Sequence, residues 1–252
     1  MKINLNQIVA ERGNKTIYRD GDFIVKLMNE GYTAADVLNE ALNHVIVYEA
    51  GVLVPKFHEV VKIDNRWAIV MDHVAGRTLD AIIEDDPTNR DKYFDRFVDL
   101  QIKLHGYNAP RLRHHTDKMH GKISECGLDA TMRYELHMRL NGLPKHSKLC
   151  HGDFTPGNVI ITDNDEAYII DWSHATQGNA SADAARTYLR FRLSGKDDEM
   201  AEAYLNKYCQ KSDTARQYVD KWLPIVAASQ SVKRKPEERE FLLRWVNVVE
   251  YM

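Results

Sequence analysis

Short apolar runs separated by polar turns dominate the N-terminal part of the chain. Residues 8–9 and 16–18 flank one turn, and a second turn leads into the apolar run 23–28. Farther along, the runs 60–63 and 67–71 flank a third turn. Runs of this length joined by Gly-, Asn- and Asp-containing turns are typical of antiparallel strands. The pattern therefore predicts a small antiparallel sheet in this region.

A helix is predicted between the third and fourth of these strands. Thr33 and Asp36 form a variant of the capping box in which Asp replaces the usual Glu, and Gly51 marks the end of the helix. Apolar residues recur at helical spacing, and we expect them to form the buried stripe of the helix: Ala34, Val37, Leu38, Ala41, Leu42 and Val45.

Beyond Gly76 the pattern changes to long stretches with helical periodicity. The clearest are residues 93–104, 197–209, 214–232 and 236–251. The last opens with a proline and two glutamates, as a helix start should. We therefore predict an α+β protein, with a small antiparallel sheet plus one helix in residues 1–75 and a mostly helical part in residues 76–252.

Composition excludes several classes of protein. The 252 residues are 44% hydrophobic and 28% charged, as expected of a globular protein, and the net charge of −3 gives no reason to expect nucleic acid or an anionic membrane as a partner. No apolar run reaches the length of a signal peptide core or a membrane span. Three distant cysteines form no disulfide framework, so we expect a cytoplasmic protein.

The most informative stretch runs from Cys150 to Trp172. Two apolar runs flank a polar turn at residues 163–166 and predict a β-hairpin, with Asn158 at its entrance and Asp171 at its exit. A hairpin brings its two ends together, and Asp153 lies on the loop that leads into it. Oxygen-bearing side chains of this kind suit Mg²⁺, which also takes phosphates and water as ligands.

The spacing of His151, Asp153 and Asn158 is that of the kinase catalytic loop H-R-D-x-x-x-x-N, with Gly152 in place of the arginine. Asp171, followed by Trp172, occupies the position of the kinase D-F-G aspartate. This stretch resembles the aminoglycoside phosphotransferase and choline kinase superfamily, the small-molecule branch of the kinase-like fold. The resemblance implies a two-lobed protein: an N-terminal nucleotide-binding lobe with a hinge near residues 72–76, and a C-terminal catalytic and acceptor-binding lobe.

Lys26 is predicted to bind nucleotide phosphate. In its strand it shares a face with Ile24 and Met28, an apolar setting in which an ammonium group needs an anionic partner. The alternative is a lysine at a strand end that reaches water. The resemblance implies that a helix glutamate pairs with this lysine, and Glu40 is better placed than Glu49.

The resemblance implies further nucleotide contacts. Backbone groups of Asp72, His73 and Val74 would bind the adenine edge. The turn that contains Gly13 would cover the phosphates, although it has one glycine where a kinase has three. Asp183 resembles the aspartate of a later D-x-A element that supports the catalytic loop.

Together these residues predict an ATP-dependent, Mg²⁺-requiring phosphotransferase acting on a small-molecule hydroxyl. Asp153 would accept the hydroxyl proton, and Asn158 and Asp171 would hold the metal. Two alternatives remain open: a Ser/Thr protein kinase-like enzyme and a nucleotide-binding module without turnover. The motifs leave the acceptor open among aminoglycosides, amino alcohols and sugars, do not establish antibiotic inactivation, and leave the oligomeric state unknown.

Overall fold

A computed structural model describes residues 3–195, 198–232 and 234–246. The strands in this part of the chain are β1 Gln7–Arg12, β2 Lys15–Asp20, β3 Phe23–Met28, β4 Phe57–Ile63, β5 Arg66–Asp72, β6 Arg77–Thr78, β7 Lys148–Cys150, β8 Val159–Ile161, β9 Ala167–Ile169 and β10 Thr176–Gly178. The helices are α1 Ala34–Glu49, α2 Leu79–Asp85, α3 Arg90–Leu104, α4 His115–Glu125, α5 Ala130–Gly142, α6 Ala180–Leu193, α7 Asp198–Ser212, α8 Arg216–Asp220, α9 Leu223–Ser231 and α10 Pro236–Arg244.

The predicted antiparallel sheet is confirmed, with strand order β1-β2-β3-β5-β4. Between β4 and β5 the chain turns at Asp64 and Asn65, both of which have positive φ, as a tight hairpin turn requires. Helix α1 packs against the sheet through an apolar core that includes Met28, Val37 and Ile69. This packing holds the central strand β3, which carries Lys26, in a fixed position relative to α1.

The capping box that starts α1 is confirmed, because the Thr33 and Asp36 side chains each accept a hydrogen bond from the backbone N–H of the other. The predicted buried stripe is partly wrong. Leu38 and Leu42 are 54% and 56% exposed, and the buried side lies one residue farther around the helix. That side consists of Val37, Glu40, Ala41, Asn43, His44, Ile46 and Val47. Several residues on this side are polar, so the spacing of apolar residues did not identify it.

The predicted hairpin 159–170 is confirmed by β8 and β9, which pair antiparallel with β6 as a third strand. The N–H of Ile169 also donates to the carbonyl oxygen of Leu53, at 3.0 Å. A bond from the Ile170 N–H to the Asn158 oxygen, also 3.0 Å, closes the end of the hairpin where both site residues lie.

Helix α6 is largely buried, and α7, α8, α9 and α10 pack against it. Its aromatic residues join those of α3, α7 and the catalytic loop in one cluster, in which Phe97 stacks on Phe154 at 4.7 Å. This core fixes the position of the catalytic loop, since Phe154 directly follows Asp153.

Two helix predictions need correction. The stretch 214–232 is two helices, α8 and α9, because Pro224 has no N–H to donate to residue 220 and its ring would collide with that carbonyl. The stretch 236–251 is helical only to Arg244, and its residues 247–251 lie outside the described part of the chain. Residue 197, the predicted start of α7, also lies outside it.

The chain divides into two compact units. The first contains residues up to Asp85 and the segment Pro156–His174, and the second contains Asp86–Thr155 and the chain from Ala175 onward. The boundary near residues 75–76 between a nucleotide-binding lobe and a catalytic lobe stays a prediction. None of the described helices combines the length and the apolar composition that crossing a bilayer requires.

Candidate functional site

Four charged side chains meet on one face of the large sheet in the first unit, and we call them the ionic cluster: Lys15, Lys26, Glu40 and Asp171. Lys26 forms an ion pair with the Glu40 carboxylate and a second with Asp171 Oδ1, at 2.9 Å. Lys26 is only 5% exposed, so it does not reach water from a strand end. Glu49, the weaker candidate partner, lies on the exposed side of the helix.

Lys15 is the member of the ionic cluster that sequence reasoning missed. Its Nζ lies 2.8 Å from Asp171 Oδ2, and the residue is buried. Lys15 pairs with Met28 and Ile17 pairs with Lys26 across β2 and β3, so both lysines project from the same face. The sequence did contain a signal for Lys15. It lies two residues from Ile17 in the same strand, and side chains two residues apart in a strand lie on the same face of the sheet.

The charges of the ionic cluster balance as two ammonium groups against two carboxylates. Burial alone would lower the pKa of Lys26, but Asp171 and Glu40 outweigh burial and raise it. Burial and the neighbouring Lys26 together lower the pKa of Lys15. Burial opposes ionisation of Asp171, yet Lys26 and Lys15 hold its carboxyl pKa well below the usual range. Asp171 is therefore a carboxylate at neutral pH.

The backbone around Asp171 is fixed by its neighbours. Asp171 has φ +67°, a left-handed conformation that Asp and Asn tolerate better than most residues. Trp172 is 1% exposed, and its indole N–H donates to the Ile169 carbonyl at 3.0 Å. Asn43 of α1 donates to the Trp172 carbonyl at 3.3 Å. Helix α1 thus positions both the partner of Lys26 and the segment that carries Asp171.

The end of the hairpin offers donors that suit a hard divalent cation. Asp171 supplies an ionised carboxylate, and Asn158, which is 8% exposed, has an amide oxygen. Each oxygen of Asp171 has a lysine partner, and a carboxylate oxygen can accept more than one interaction. One or two protein oxygens, completed by phosphate and water, are the usual protein contribution to Mg²⁺. The residues present therefore fit Mg²⁺.

The predicted hinge follows β5 in the first unit. The N–H of Asp72 donates to the Lys56 oxygen at 2.9 Å, and the N–H of His73 donates to the Asp22 oxygen at 2.7 Å. The Asp72 side chain faces His58, 2.5 Å away. Two of the three hinge amides are therefore already used within the fold. Val74 makes no hydrogen bond to another backbone group in the described chain.

A cavity of about 360 Å³ adjoins the hinge in the first unit. Its lining includes Leu53, Val54, Pro55 and Lys56 from the segment after α1, together with the hinge and the hairpin residues Thr162 and Tyr168. None of the four residues of the ionic cluster lines it. The cavity is therefore separate from the charged site.

Gly13 lies in the exposed turn between β1 and β2. Asn29 donates to its carbonyl oxygen at 3.3 Å, and a side chain added at Gly13 would meet open space. Nothing within the fold requires a glycine there, so its assignment to phosphate binding stays a prediction.

In the second unit the catalytic loop is held by Asp183. The Gly152 N–H donates to Asp183 Oδ1 at 2.7 Å, and the His151 N–H donates to Oδ2 at 3.2 Å. This is the support expected from the resemblance. Gly152 has φ +76°, which explains a glycine at this position. The Asp153 N–H donates to His151 Nδ1 at 3.1 Å, so the loop orients the backbone of Asp153.

Asp183 is itself fixed by a buried network. His105 Nε2 lies 3.1 Å from Asp183 Oδ2, and the Tyr208 hydroxyl lies 3.0 Å from His105 Nδ1. Burial opposes ionisation of Asp183, but hydrogen bonding and charge from His105 outweigh it and lower the pKa to about 2. An ionised Asp183 only accepts hydrogen bonds, so His105 donates to it from a protonated Nε2.

Asp153 has a partner that sequence reasoning did not find. Arg190 Nε of α6 lies 3.0 Å from Asp153 Oδ1, in ion-pair range but without the alignment of a hydrogen bond. Asp153 and Arg190 side chains are 20% and 32% exposed. The two residues are far apart in sequence, so local patterns carried no signal of this pair.

Similar solved structures share this fold. LicA choline kinase from Streptococcus pneumoniae matches with a TM-score of 0.64 and 15% identity, covering 97% of this chain and 92% of that chain. A choline/ethanolamine kinase family protein from Mesorhizobium loti matches with a TM-score of 0.64 and 18% identity, covering 96% and 86%. A thermostable mutant of aminoglycoside phosphotransferase APH(4)-Ia matches with a TM-score of 0.68 and 14% identity, covering 95% and 92%. These likenesses confirm the two-lobed kinase-like α+β fold.

Comparison of sequences gives the family. A search of curated proteins found no match. The phosphotransferase enzyme family, APH, matches residues 5–220. This match contains the ionic cluster, the catalytic loop and the hairpin, and it spans most of the chain. The chain therefore belongs to the phosphotransferase enzyme family.

Proposed function

We propose that this protein transfers the γ-phosphoryl group of ATP to a hydroxyl group of a small molecule. The observation that carries the proposal is the buried ion pair of Lys26 with Glu40, joined by Asp171, inside a chain of the phosphotransferase family. Among the similar structures, LicA was solved with AMP, and APH(2'')-IIa as a ternary complex with streptomycin and ATP. These complexes support a nucleotide as the phosphoryl donor.

The first unit supplies the nucleotide contacts. Lys26, oriented by Glu40, neutralises charge on the α and β phosphates. At the hinge, the Asp72 carbonyl and the Val74 N–H bind the adenine edge, because the amides of Asp72 and His73 already have partners. The turn at Gly13 covers the phosphates.

Asn158 and Asp171 hold Mg²⁺ in this proposal. When bound, Mg²⁺ would supply positive charge that stabilises the transferring phosphates. The ionic cluster prepares Asp171 for this task, since its lysines keep the carboxylate ionised. No proton has to leave Asp171 before it can act as a ligand.

Asp153 orients the acceptor hydroxyl and accepts its proton. The loop that carries Asp153 is held by two backbone hydrogen bonds to Asp183 and by the stacking of Phe154 on Phe97. Such preorganisation contributes to catalysis because the reacting groups need not be ordered during the reaction.

The test combines ADP release with nucleotide binding. Wild type, Asp153→Ala and the control Asp163→Ala, an exposed acid in the turn of the hairpin, are screened with ATP, Mg²⁺ and a panel of hydroxylated acceptors. We expect Asp153→Ala to lower turnover about 10²- to 10⁴-fold, the usual effect of losing a general base. Calorimetric ATP binding should stay close to that of wild type in both variants.

Three results would contradict this function or the role of Asp153 in it. Wild-type turnover in Asp153→Ala would remove Asp153 from its role. ATP binding without acceptor-dependent ADP release across the panel would show a nucleotide-binding module instead of an enzyme. Labelled phosphate appearing in lysate proteins, and not in the small-molecule fraction, would show a protein kinase activity.

A further inference from the structure

Two arginines of α6 act on Asp153 in the second unit. Arg186 and Arg190 lie one turn apart on α6 and therefore project from the same side of the helix. Arg190 lies 3.0 Å from the Asp153 carboxylate. Arg186 interacts electrostatically with Asp153, Arg190 and Arg234, and with Lys118 of α4. We call Lys118, Arg186, Arg190 and Arg234 the basic cluster.

Arg186 is the arginine of the basic cluster that forms no salt bridge within the described residues, although Asp153 and Asp183 act on it electrostatically. Its Nε is buried and has no hydrogen-bond partner within the described chain, and no salt bridge joins it to a described carboxylate. Burial lowers the pKa of the guanidinium to about 10, which still leaves it charged at neutral pH. A buried charge without a partner is costly, and sites that bind charged ligands are a common reason for keeping one.

The carboxylates that face Arg186 are already engaged. Asp183 accepts hydrogen bonds from the loop backbone and contacts His105. Asp153 pairs with Arg190. Arg234, for its part, pairs with Glu238 at 3.2 Å. Asp153 and Asp183, the two acids that face Arg186, therefore both have other partners.

Lys118 lies on the α4 side of the basic cluster and interacts electrostatically with Arg186. Burial and the nearby Arg186, Lys122 and Arg113 lower the pKa of Lys118 to about 7. The positive electrostatic potential of the basic cluster repels an ammonium ligand and attracts an anion. The same potential attracts the anionic group of a ligand to the neighbourhood of Asp153, which is proposed to bind the acceptor hydroxyl.

Arg192, on the same helix, has a structural role and serves as a comparison for Arg186. Its guanidinium pairs with Asp198 at 3.0 Å and approaches Glu202 at 3.9 Å. It also lies over the rings of Tyr188 and Trp245. Arg192 is thus compensated by acids and aromatic rings, whereas Arg186 is not.

We propose that the acceptor alcohol carries an anionic group, a carboxylate or a phosphate, which binds Arg186 together with Arg190 and Lys118. This inference rests on the proposed phosphotransfer function and names its substrate class. It predicts discrimination against amino alcohols and amino sugars, because an added positive charge beside the basic cluster is repelled. The anion forms with Arg186 the salt bridge that no carboxylate of the described residues provides, and the hydroxyl of the same molecule reaches Asp153.

The first experiment compares acceptors that differ in charge. Glycerol, glycerate and glycerol 3-phosphate share a hydroxylated carbon skeleton, and choline and kanamycin represent cationic acceptors. Wild-type kcat/KM should be at least about tenfold higher for an anionic member than for glycerol or the cations. Glycerate and glycerol 3-phosphate separate a carboxylate site from a phosphate site.

Arg186→Gln and the control Arg192→Gln then assign the effect to one residue. Arg186→Gln should lower kcat/KM for the anionic acceptor about 10- to 100-fold, mainly through KM, as expected for a lost hydrogen bond to a charged group. ATP binding should not change. Arg192→Gln should behave as wild type with every acceptor.

A binding measurement tests the anionic site without requiring turnover. Malonate and inorganic phosphate are titrated calorimetrically into nucleotide-free wild type and both variants. We expect at least one of these anions to bind wild type and Arg192→Gln and to bind Arg186→Gln at least about tenfold more weakly. Equal binding to all three proteins, or no binding to wild type, would overturn the anionic site.

The outcomes separate this inference from the proposed function. Phosphorylation of choline or kanamycin but of no anionic acceptor would keep the function and overturn the anionic site. Arg186-dependent binding of malonate or phosphate, with no ADP release from any acceptor, would keep the anionic site and count against the function.

Discussion

Asp171 in the first unit and Asp153 in the second unit are both motif aspartates, yet their surroundings differ. Asp171 has one lysine on each oxygen, and Glu40 completes a balanced set of charges. Asp153 has an arginine on one oxygen, and within the described residues the nearby Arg186 forms no salt bridge with a carboxylate. One site is electrostatically complete without a ligand, and the other is not.

This difference has consequences for stability and for binding. A balanced buried cluster stabilises the fold as long as every partner is present, and removing one partner leaves a buried charge uncompensated. A cluster with excess positive charge gains most when an anion binds. We therefore expect substitutions in the ionic cluster to affect folding and those around Asp153 to affect function.

The largest effect is expected for Asp171→Asn. The amide fits the left-handed backbone at this position, but Lys15 and Lys26 then share the single carboxylate of Glu40. We expect the free energy of unfolding in urea to fall by about 3 kcal/mol at neutral pH, the usual cost of breaking a buried ion pair.

Asp165→Asn is the matched control for this change. Asp165 also has positive φ and lies in the turn of the same hairpin, but it is exposed. Its substitution should alter the free energy of unfolding by less than about 0.5 kcal/mol. Adding Lys15→Met to Asp171→Asn should recover part of the loss. Equal stability of the two single variants would mean that the lysines do not depend on Asp171.

A smaller effect, which appears as a change in stability with pH, is expected for Asp183→Asn. The pKa of Asp183 is about 2 in the folded protein and near 4 when unfolded, so its contribution to stability is present above pH 4. That contribution is lost as the pH falls from about 4 to about 2, because the unfolded chain then binds the proton more readily.

The measurement is the wild-type free energy of unfolding across this pH range, compared with Asp183→Asn and the exposed control Asp163→Asn. We expect wild type and the control to lose about 2 kcal/mol more than Asp183→Asn between pH 4 and pH 2. Parallel curves for all three proteins would show that Asp183 is not held as an anion by the catalytic loop.

Local patterns were sufficient for the strands, the capping box and the hairpin, because each is encoded by residues close together in sequence. They did not identify the buried face of α1. Leu38 and Leu42 recur as regularly as Val37 and Ala41, and the sheet decides which side is covered. The side with Asn43 is covered by the segment that begins at Trp172, whose carbonyl accepts a hydrogen bond from the Asn43 side chain.

The site shows the same limit. The catalytic loop and Asp171 were found because motif spacing is local. Lys15 and Arg190 were missed because their partners lie far away along the chain. Charge complementarity between distant segments leaves no periodicity, so only the folded chain reveals it.

The smallest effect on stability is expected for the pair of Arg190 and Asp153. Both side chains are partly exposed, and such pairs contribute little because water and salt screen them. A double-mutant cycle of Arg190→Gln and Asp153→Asn, measured by urea unfolding, should give a coupling energy of about 0.5 kcal/mol, falling toward zero in about 1 M salt. The exposed pair Lys211 and Asp99, at 2.8 Å, serves as the control cycle and should behave alike. A salt-independent coupling of about 3 kcal/mol would place Asp153 in the same class as Asp171, and the contrast between the two units would be lost.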